Sequence, residues 1–417
     1  MTLGAGAELF YDEPLEIVRG EGVYLFEKAG RRYTDLYNNV PCVGHGNAAV
    51  VRAMSEQQAI LNIHSRYLHE GIVSFGERLV GLHHDGIESV VFSCSGTEAV
   101  EVAIQMARLK TGNRGIICSN AAYHGNSELV DSLSYLWEAP SASPEVRAFE
   151  YPDLYRPIRT DCDEDALCDA YLDEVARAIN SLKSNGVGLA ALVLCPVFAN
   201  EGTPDMPDTY MSRLTDLVHA EGGLVIADEV QSGYGRTGVW WGYEKTGFLP
   251  DIVALGKPMG NGLPLAATLA SRRLVNAFRT ERDYFNTCAA SPLQAAVGMA
   301  VLDEIERQDL VNRAADVGDY LKRQLEARLG TAEKIGDVRG YGLFINVEMV
   351  TDKRSRSPDP AYAHRLCECL KAHGFLTGLN GKYGNALKIR PPLVFTRAHA
   401  DEFLKAFDLC LEVCDDT

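Results

Sequence analysis

Short apolar runs alternate with helical patterns through the middle of the chain. The runs with the length and composition of buried strands are 90–93, 115–118, 191–195, 224–227 and 252–255. Helical patterns are found at 97–110, 164–184 and 207–221. This alternation, from about residue 85 to 270, predicts a mostly parallel sheet covered by helices on both faces.

Both ends of the chain follow a different pattern. Residues 15–40 alternate apolar and polar positions around glycines, which predicts short antiparallel strands. Further elements are predicted as helices at 48–62, 71–82, after Pro292, 310–329, 360–373 and 399–414, and as a strand at 342–349. Residues 126–163 have little periodicity and predict a long surface excursion. We therefore expect a small α+β domain from both termini (1–45 and 306–417) around a large domain (46–305).

Two ionisable residues follow neighbouring apolar runs. Asp228 comes directly after the run 224–227, and Lys257 lies just past the run 252–255. In open α/β sheets, ligands bind at the carboxyl ends of the strands. The acid and the lysine are therefore predicted to face one ligand from two sides.

The run 90–93 leads through a tight turn into a helix. Ser95, Gly96 and Thr97 at this turn offer hydroxyl groups and free backbone amides, which favour a phosphate at a helix N-terminus. Ser95 and Glu98 also have the spacing of a capping box, which needs no ligand. After the next strand, Tyr123 is placed either to stack on a flat heterocycle or to pack within a loop.

Together these features suit a flat, phosphorylated, cationic heterocycle that carries an aldehyde. Pyridoxal 5′-phosphate (PLP) fits each part, with Lys257 as its Schiff-base partner and Asp228 at the pyridine nitrogen. A carboxylate 3–4 Å from a pyridinium contributes about 4 kcal/mol at an effective dielectric of 20. This interaction keeps the ring protonated and electron-withdrawing.

Composition narrows the function classes. The net charge of −17 argues against nucleic-acid or anionic-membrane partners. The eleven cysteines show neither CxxC pairs nor zinc-site spacing, so no metal site and a reducing compartment are expected. Neither a signal peptide nor an apolar run long enough to span a membrane is apparent, and a cytoplasmic enzyme is predicted.

One motif in the sequence would favour a different type of fold. The glycines of 233–238 match G-x-G-x-x-G, the fingerprint of dinucleotide-binding folds. That fingerprint requires a strand directly before it and a helix directly after it, and neither is predicted here. We interpret these glycines as a sharply turning loop.

Several segments resemble the class III (subgroup II, ω-type) aminotransferases. The segments that carry the resemblance include SGTEAVEVAI at 95–104, IADEVQSGYGRTG at 226–238, LGKPMGNGLPLAA at 255–267 and LKIRPPLVFT at 387–396. The resemblance implies PLP fold type I, in which a large domain with a mostly parallel seven-stranded sheet covered by helices joins a small α+β domain.

The resemblance also implies residue roles. Lys257 matches the Schiff-base lysine and Asp228 the partner of the ring nitrogen. The remaining implied contacts are Val230 and Tyr123 on the two ring faces, Gln231 near the ring's 3-oxygen, Ser95, Gly96 and Thr97 at the phosphate, and Thr287 reaching the phosphate of a neighbouring subunit. A homodimer with sites at its interface is therefore expected.

The departures from the family pattern concern the substrate. Many amino-acid-specific members carry a glutamate and an arginine that let one pocket accept two carboxylates, and Cys195 and Lys388 stand at these positions. Lysine does not replace a bidentate arginine fork well. Arg390 remains a candidate for a substrate carboxylate or phosphate, with a structural salt bridge as the alternative. Val40 and Tyr67 match entrance loops of relatives.

These observations predict a PLP-dependent aminotransferase. It would move an amino group from an amine, which need not carry an α-carboxylate, to a 2-oxo acid such as pyruvate or 2-oxoglutarate. The alternative is a PLP-dependent phospho-lyase acting on a phosphorylated amino alcohol. A PLP-binding protein without turnover is a third possibility, but every recognisable catalytic position is filled.

Overall fold

The computed structural model describes residues 9–135 and 143–415. Its strands are β1 (Ile17–Glu21), β2 (Tyr24–Glu27), β3 (Arg32–Asp35), β4 (Ser89–Ser93), β5 (Gly115–Ser119), β6 (Val146–Phe149), β7 (Leu189–Leu194), β8 (Leu224–Asp228), β9 (Ile252–Leu255), β10 (Ala266–Ala270), β11 (Ile335–Tyr341), β12 (Phe344–Met349), β13 (Phe375–Leu376), β14 (Gly378–Asn380) and β15 (Ala386–Ile389). Its α-helices are α1 (Ala48–Ile60), α2 (Glu70–Val80), α3 (Gly96–Thr111), α4 (Glu128–Asp131), α5 (Glu164–Ser184), α6 (Tyr210–Ala220), α7 (Tyr243–Thr246), α8 (Arg272–Glu281), α9 (Pro292–Arg307), α10 (Leu310–Glu326), α11 (Pro360–Ala372) and α12 (Arg397–Asp415).

A seven-stranded sheet forms the centre of the fold. Its strand order is β4-β10-β9-β8-β7-β5-β6. Strands β6, β5, β7, β8 and β9 are parallel, whereas β10 runs antiparallel to both of its neighbours. The predicted mostly parallel sheet is confirmed.

Two strands of this sheet were not predicted. β10 lies within a segment that the sequence analysis left without an element, and β6 lies within the predicted surface excursion. The excursion therefore includes an edge strand paired with β5. Residues 136–142 of the excursion lie outside the described residues.

The sheet has a hydrophobic core on each face, because successive strand residues point to opposite sides. Ile117 of β5 packs into the core that includes α5, α6 and α9, whereas Ile116 and Cys118 pack into the core that includes α3. Short strands buried on both faces read as continuous apolar runs, as the sequence pattern indicated.

Two four-stranded sheets are built from the chain's ends. One has the order β1-β2-β3-β13, and the other has the order β11-β12-β15-β14. Because β13 pairs in parallel with β3, N-terminal and C-terminal residues share a sheet, as expected for a small domain built from both termini. The domain boundaries themselves remain predictions.

The glycine-rich segment after β8 forms a turning loop. Gly235 and Gly238 have φ angles of +82° and +81°, a conformation that glycine adopts readily. The next helix, α7, begins only at Tyr243, so the spacing of a dinucleotide-binding turn is not met. Separately, among the helices described, none is long and apolar enough to cross a membrane.

Candidate active site

The acid and the lysine lie at the same edge of the central sheet. Asp228 is the last residue of β8, and its backbone pairs with Ala254 of the adjacent strand β9. Lys257 follows β9 as the first residue of a 3₁₀ turn, Lys257–Gly260. Its φ of +29° is in the left-handed region that non-glycine residues rarely adopt. Backbone strain of this kind is concentrated at functional sites.

Burial shifts Lys257 towards its neutral amine form. Desolvation lowers the pKa of its ammonium group, while the charge of Asp228 opposes this effect and that of Arg390 adds to it. A lowered pKa increases the share of neutral amine at neutral pH. Neutral amine is the form that can act as a nucleophile or accept a proton.

His124 and a backbone amide hold the Asp228 carboxylate in place. Asp228 Oδ2 lies 2.7 Å from His124 Nδ1, and Oδ1 accepts a hydrogen bond of 3.0 Å from the Val230 amide. Both side chains are buried. The sequence analysis did not single out His124, although its position next to Tyr123 after β5 was a usable signal.

The turn between β4 and α3 contains the predicted cap. Ser95 Oγ accepts a hydrogen bond of 3.2 Å from the Glu98 amide, and the Glu98 carboxylate accepts one of 2.6 Å from the Cys94 amide. The amides of Gly96 and Thr97 lie in the first turn, where no intrahelical acceptor exists. The capping box therefore leaves the amides of Gly96 and Thr97 available to donate hydrogen bonds to an anion.

Glycines shape a cradle beside this turn. A Cβ at Gly96 would lie 3.0 Å from the Val230 methyl groups, and one at Gly256 would lie 3.1 Å from the Gly96 Cα. A Cβ at Gly125 would lie 2.4 Å from Thr97 Oγ1. The loops after β4, β5, β8 and β9 therefore meet at contact distance. Amide and hydroxyl donors, a buried lysine and a fixed carboxylate in this cradle fit the phosphate, aldehyde and ring nitrogen of PLP.

Two cations converge on one amide oxygen beside the cradle. Gln231 Oε1 accepts hydrogen bonds from Lys388 Nζ, at 3.3 Å, and from Arg390 Nη1. Gln231 Nε2 donates to Asn200 Oδ1 at 2.9 Å. Arg390 also donates to the Tyr37 carbonyl through Nε and Nη2, at 3.2 and 3.1 Å. The structure thus gives Arg390 no salt bridge among the described residues.

Among the described residues these cations have no carboxylate in salt-bridge contact, although the charges of Glu201 and Asp35 act to raise the pKa of Lys388 and Arg390, respectively. Desolvation, with the charges of Arg390 and Lys257, lowers the pKa of Lys388 well below its usual value. Desolvation lowers the pKa of Arg390 to about 10. At Cys195, one of the two departures from the family pattern noted in the sequence, burial raises the pKa to about 12, so this side chain is a neutral thiol. A buried cation that lacks an anion is costly, and an anionic ligand offsets that cost.

The other predicted residues lie farther from these contacts. Tyr123 is 39% exposed, and its carbonyl accepts a hydrogen bond from Asn200. Val40 follows Asn39, whose Nδ2 donates to the Gln231 carbonyl at 3.0 Å. Thr287 and Tyr67 are exposed.

Comparison with known proteins identifies the family of the chain. The model of the family "Aminotransferase class-III" matches residues 10–411. The chain is 36% identical over 422 residues to an alanine–glyoxylate aminotransferase 2-like protein of Drosophila melanogaster, covering 98% of this chain and 85% of the relative.

Solved structures are similar over nearly the whole chain. A phospholyase from Arthrobacter in complex with phosphoethanolamine is 38% identical, with a TM-score of 0.95, covering 99% of this chain and 97% of the other. An amine transaminase from an uncultivated Pseudomonas species, in its PLP-bound form, is 31% identical, with a TM-score of 0.89, covering 99% and 98%.

Proposed function

The chain belongs to the class III aminotransferases, a family of PLP-dependent transaminases, and we propose that it acts on a small amine that carries a separate anionic group. In this proposal the amino group passes to a 2-oxo acid such as pyruvate or 2-oxoglutarate. The cofactor is PLP. The observation that carries the proposed amine class is the buried pair of cations, Lys388 and Arg390, which share Gln231.

In this proposal, different residues of the chain have different roles in the reaction. When bound, PLP supplies an electron sink for the bonds to the substrate Cα. Lys257 Nζ, whose pKa is lowered by burial, takes the Cα proton. Asp228, fixed by His124, stabilises positive charge that faces it. Lys388 and Arg390 orient the anionic end of the substrate.

A phospho-lyase is the second candidate, and a specific observation favours it. Lys388 and Arg390, side by side on Gln231, match a phosphate dianion better than a single carboxylate, because a dianion stabilises the charged form of both groups. The similar Arthrobacter structure is described as a phospholyase in complex with phosphoethanolamine. In this reaction Lys257 Nζ removes the Cα proton and the C–O bond to phosphate breaks. One water then gives a carbonyl compound and ammonia.

A substrate panel separates the two functions. The purified holoenzyme is incubated with O-phosphoethanolamine or with ethanolamine, each with and without pyruvate. Alanine formed only when pyruvate is present supports transamination. Phosphate and ammonia released from O-phosphoethanolamine without pyruvate support the phospho-lyase. If neither alanine nor phosphate forms from either amine, both functions are contradicted.

Replacing Lys388 tests the proposed anion site directly. Lys388→Met should raise KM for the phosphorylated amine roughly 10–100-fold, because a charge-assisted contact is lost. Thermal stability without substrate should stay equal or rise, since a buried basic group with no salt-bridge partner among the described residues is removed. The matched control is Lys382→Met, because Lys382 pairs with Glu150 at 3.0 Å and is partly exposed. An unchanged KM with lower stability would assign Lys388 a structural role.

We further propose a cytoplasmic homodimer with Thr287 serving the neighbouring site. A patch of large apolar side chains supports a second copy as the partner: Ile60, Leu61, Tyr67, Leu68 and Phe285 are all exposed. An aromatic contact joins the two segments of this patch, 60–68 and Phe285. The ring centroids of His64 and Phe285 are 5.6 Å apart. The eleven free cysteines support a reducing compartment.

A further inference from the structure

The two C-terminal helices bring four potential metal ligands together. Cys369 and His373 are four residues apart at the end of α11, and Cys410 and Cys414 are four residues apart in α12. Residues with this spacing lie on one face of a helix. Because α11 packs against α12, the two pairs face each other across the helix interface.

The distances suit a tetrahedral metal ion. His373 Nδ1 lies 3.7 Å from Cys369 Sγ and 3.4 Å from Cys410 Sγ, and the three ligand atoms all lie within 4.8 Å of one another. With Zn–S bonds of about 2.3 Å and Zn–N bonds of about 2.0 Å, a tetrahedral site separates its sulfur and nitrogen ligands by roughly 3.5 Å. Cys414 is outside this group of three. It follows Cys410 by one helical turn on the same face of α12 and interacts with Cys369 through a side-chain hydrogen bond, which makes it the candidate for a fourth ligand.

We propose that Cys369, His373, Cys410 and Cys414 bind a Zn²⁺ ion that joins α11 to α12. Three cysteines and one histidine form a ligand set found in structural zinc sites. Thiolate ligands favour Zn²⁺ over Mg²⁺ or Ca²⁺. With four protein ligands no open position remains, so the ion's role is structural.

Binding requires a defined rearrangement of protons. The thiols that coordinate the ion release their protons to solvent. His373 Nδ1 lies 2.8 Å from the Cys369 carbonyl oxygen and must exchange that hydrogen bond for the metal, leaving the ring proton on Nε2. His373 is exposed, which gives the ion a path to the buried Cys410.

One neighbouring cysteine, Cys367, is not part of the proposed metal site. Cys367 lies two residues before Cys369 but belongs to a different set of contacts. Its Sγ lies 3.5 Å from the Thr377 carbonyl oxygen and 3.4 Å from Thr377 Oγ1. It is therefore directed to β13 and β14 rather than to α12, and it is not among the proposed ligands.

Metal binding to the full-length holoenzyme tests the proposal. The protein is reduced, freed of metal with a chelator, and titrated with Co²⁺ and then Zn²⁺. We expect one metal ion per chain, the visible absorption of tetrahedral thiolate-bound Co²⁺, and its loss when Zn²⁺ displaces Co²⁺. Zn²⁺ should also raise the melting temperature of the chain.

Two variants and one control assign the ligands. Cys410→Ser and His373→Asn should each weaken Zn²⁺ binding at least tenfold and remove the Zn²⁺-dependent rise in melting temperature. His373 is exposed, so His373→Asn keeps the test valid if the buried Cys410→Ser variant fails to fold. Cys162→Ser, at an exposed cysteine outside the cluster, should bind Zn²⁺ like the wild type.

Three results would overturn the proposal. The first is the absence of stoichiometric binding by the wild type, and the second is unchanged binding by His373→Asn. The third is a disulfide between Cys369 and Cys410 in protein purified without reductant, detected by peptide mass spectrometry, which would make the cluster a redox pair. Catalytic turnover is not a readout here, so the outcome is independent of the proposed reaction.

Discussion

At the scale of single residues, His124 is the clearest addition to the predicted site. It lies 104 residues before Asp228 in the chain, yet its Nδ1 is 2.7 Å from the Asp228 carboxylate. A hydrogen bond to a charged group contributes about 1.5–3 kcal/mol. His124 therefore acts as a positioning residue for Asp228.

We predict that His124→Leu lowers kcat/KM roughly 10–100-fold and weakens PLP binding, because Asp228 loses its partner. Steady-state kinetics and PLP titration measure both effects. The matched control is His219→Leu, since His219 Nε2 lies 2.8 Å from Asp251 at the opposite edge of the sheet. Equal losses in both variants would show that the effect is general destabilisation.

At the scale of elements, the turn from β4 into α3 is the proposed anion-binding end of the cradle. Its close approach to the loop after β8 depends on the missing side chain of Gly96. The dipole of α3 and the free first-turn amides favour a phosphate at this point.

Gly96→Ala should therefore weaken PLP binding about tenfold while the protein still folds. The added methyl group would lie 3.0 Å from the Val230 methyl groups and displace the turn or Val230, which is proposed to face the ring. Gly112→Ala, at the other end of α3, meets no atom within 4 Å but has a φ of +69°. It should cost roughly 1–2 kcal/mol of stability and leave PLP affinity unchanged.

The pairing of β11 with β12 carries a buried charge network. Arg339 Nη2 donates to Glu348 Oε2 at 2.5 Å, and both residues are 2% exposed. Burial raises the pKa of Glu348, but the charges of Arg339 and Arg156 outweigh this effect and hold it below its usual value. The folded state therefore prefers the ionised carboxylate.

Glu348→Gln should destabilise the chain by about 3 kcal/mol, since it leaves Arg339 without its closest partner. Because the folded pKa lies below the unfolded value, this contribution is present above about pH 4.3 and is lost as pH falls through the folded pKa. Urea unfolding across this range should show wild type and variant converging in acid. Glu174→Gln, in a largely exposed pair with Arg177, should cost less than about 1 kcal/mol at any pH.

At the scale of the whole molecule, the exposed Thr287 links the proposed dimer to catalysis. If Thr287 serves the neighbouring site, each active site draws Lys257 and Thr287 from different chains. Variants of these two residues should then complement each other in a mixed dimer.

We predict that Lys257→Ala is inactive and that Thr287→Val loses PLP affinity. Co-expression of the two should restore about a quarter of the wild-type sites, because half of the random dimers are mixed and each contains one intact site. Activity at limiting PLP measures the recovery. A mixture no more active than the separately expressed variants would place Thr287 and Lys257 in the same chain's site.

The local sequence pattern was sufficient to predict the class of the sheet and to place Asp228 and Lys257 at its edge. Burial on two faces makes parallel strands short and apolar, and the ends of such strands meet at one edge whatever their order. This reasoning identifies Asp228 and Lys257 from 48 contiguous residues, 222–269. The specific motifs at 226–238 and 255–267 were sufficient for the family resemblance.

Only the tertiary structure decided which distant segments meet. Four features join residues far apart in the chain. They are the antiparallel strand β10, the edge strand β6, the contact of His124 with Asp228, and the convergence of Lys388 and Arg390 on Gln231. The same holds for the cysteines of α11 and α12, whose four-residue spacing differs from the motifs that indicate zinc in a sequence. Hydrogen bonds and burial between remote segments leave no local periodicity, so each partner is determined by the packing of the whole fold.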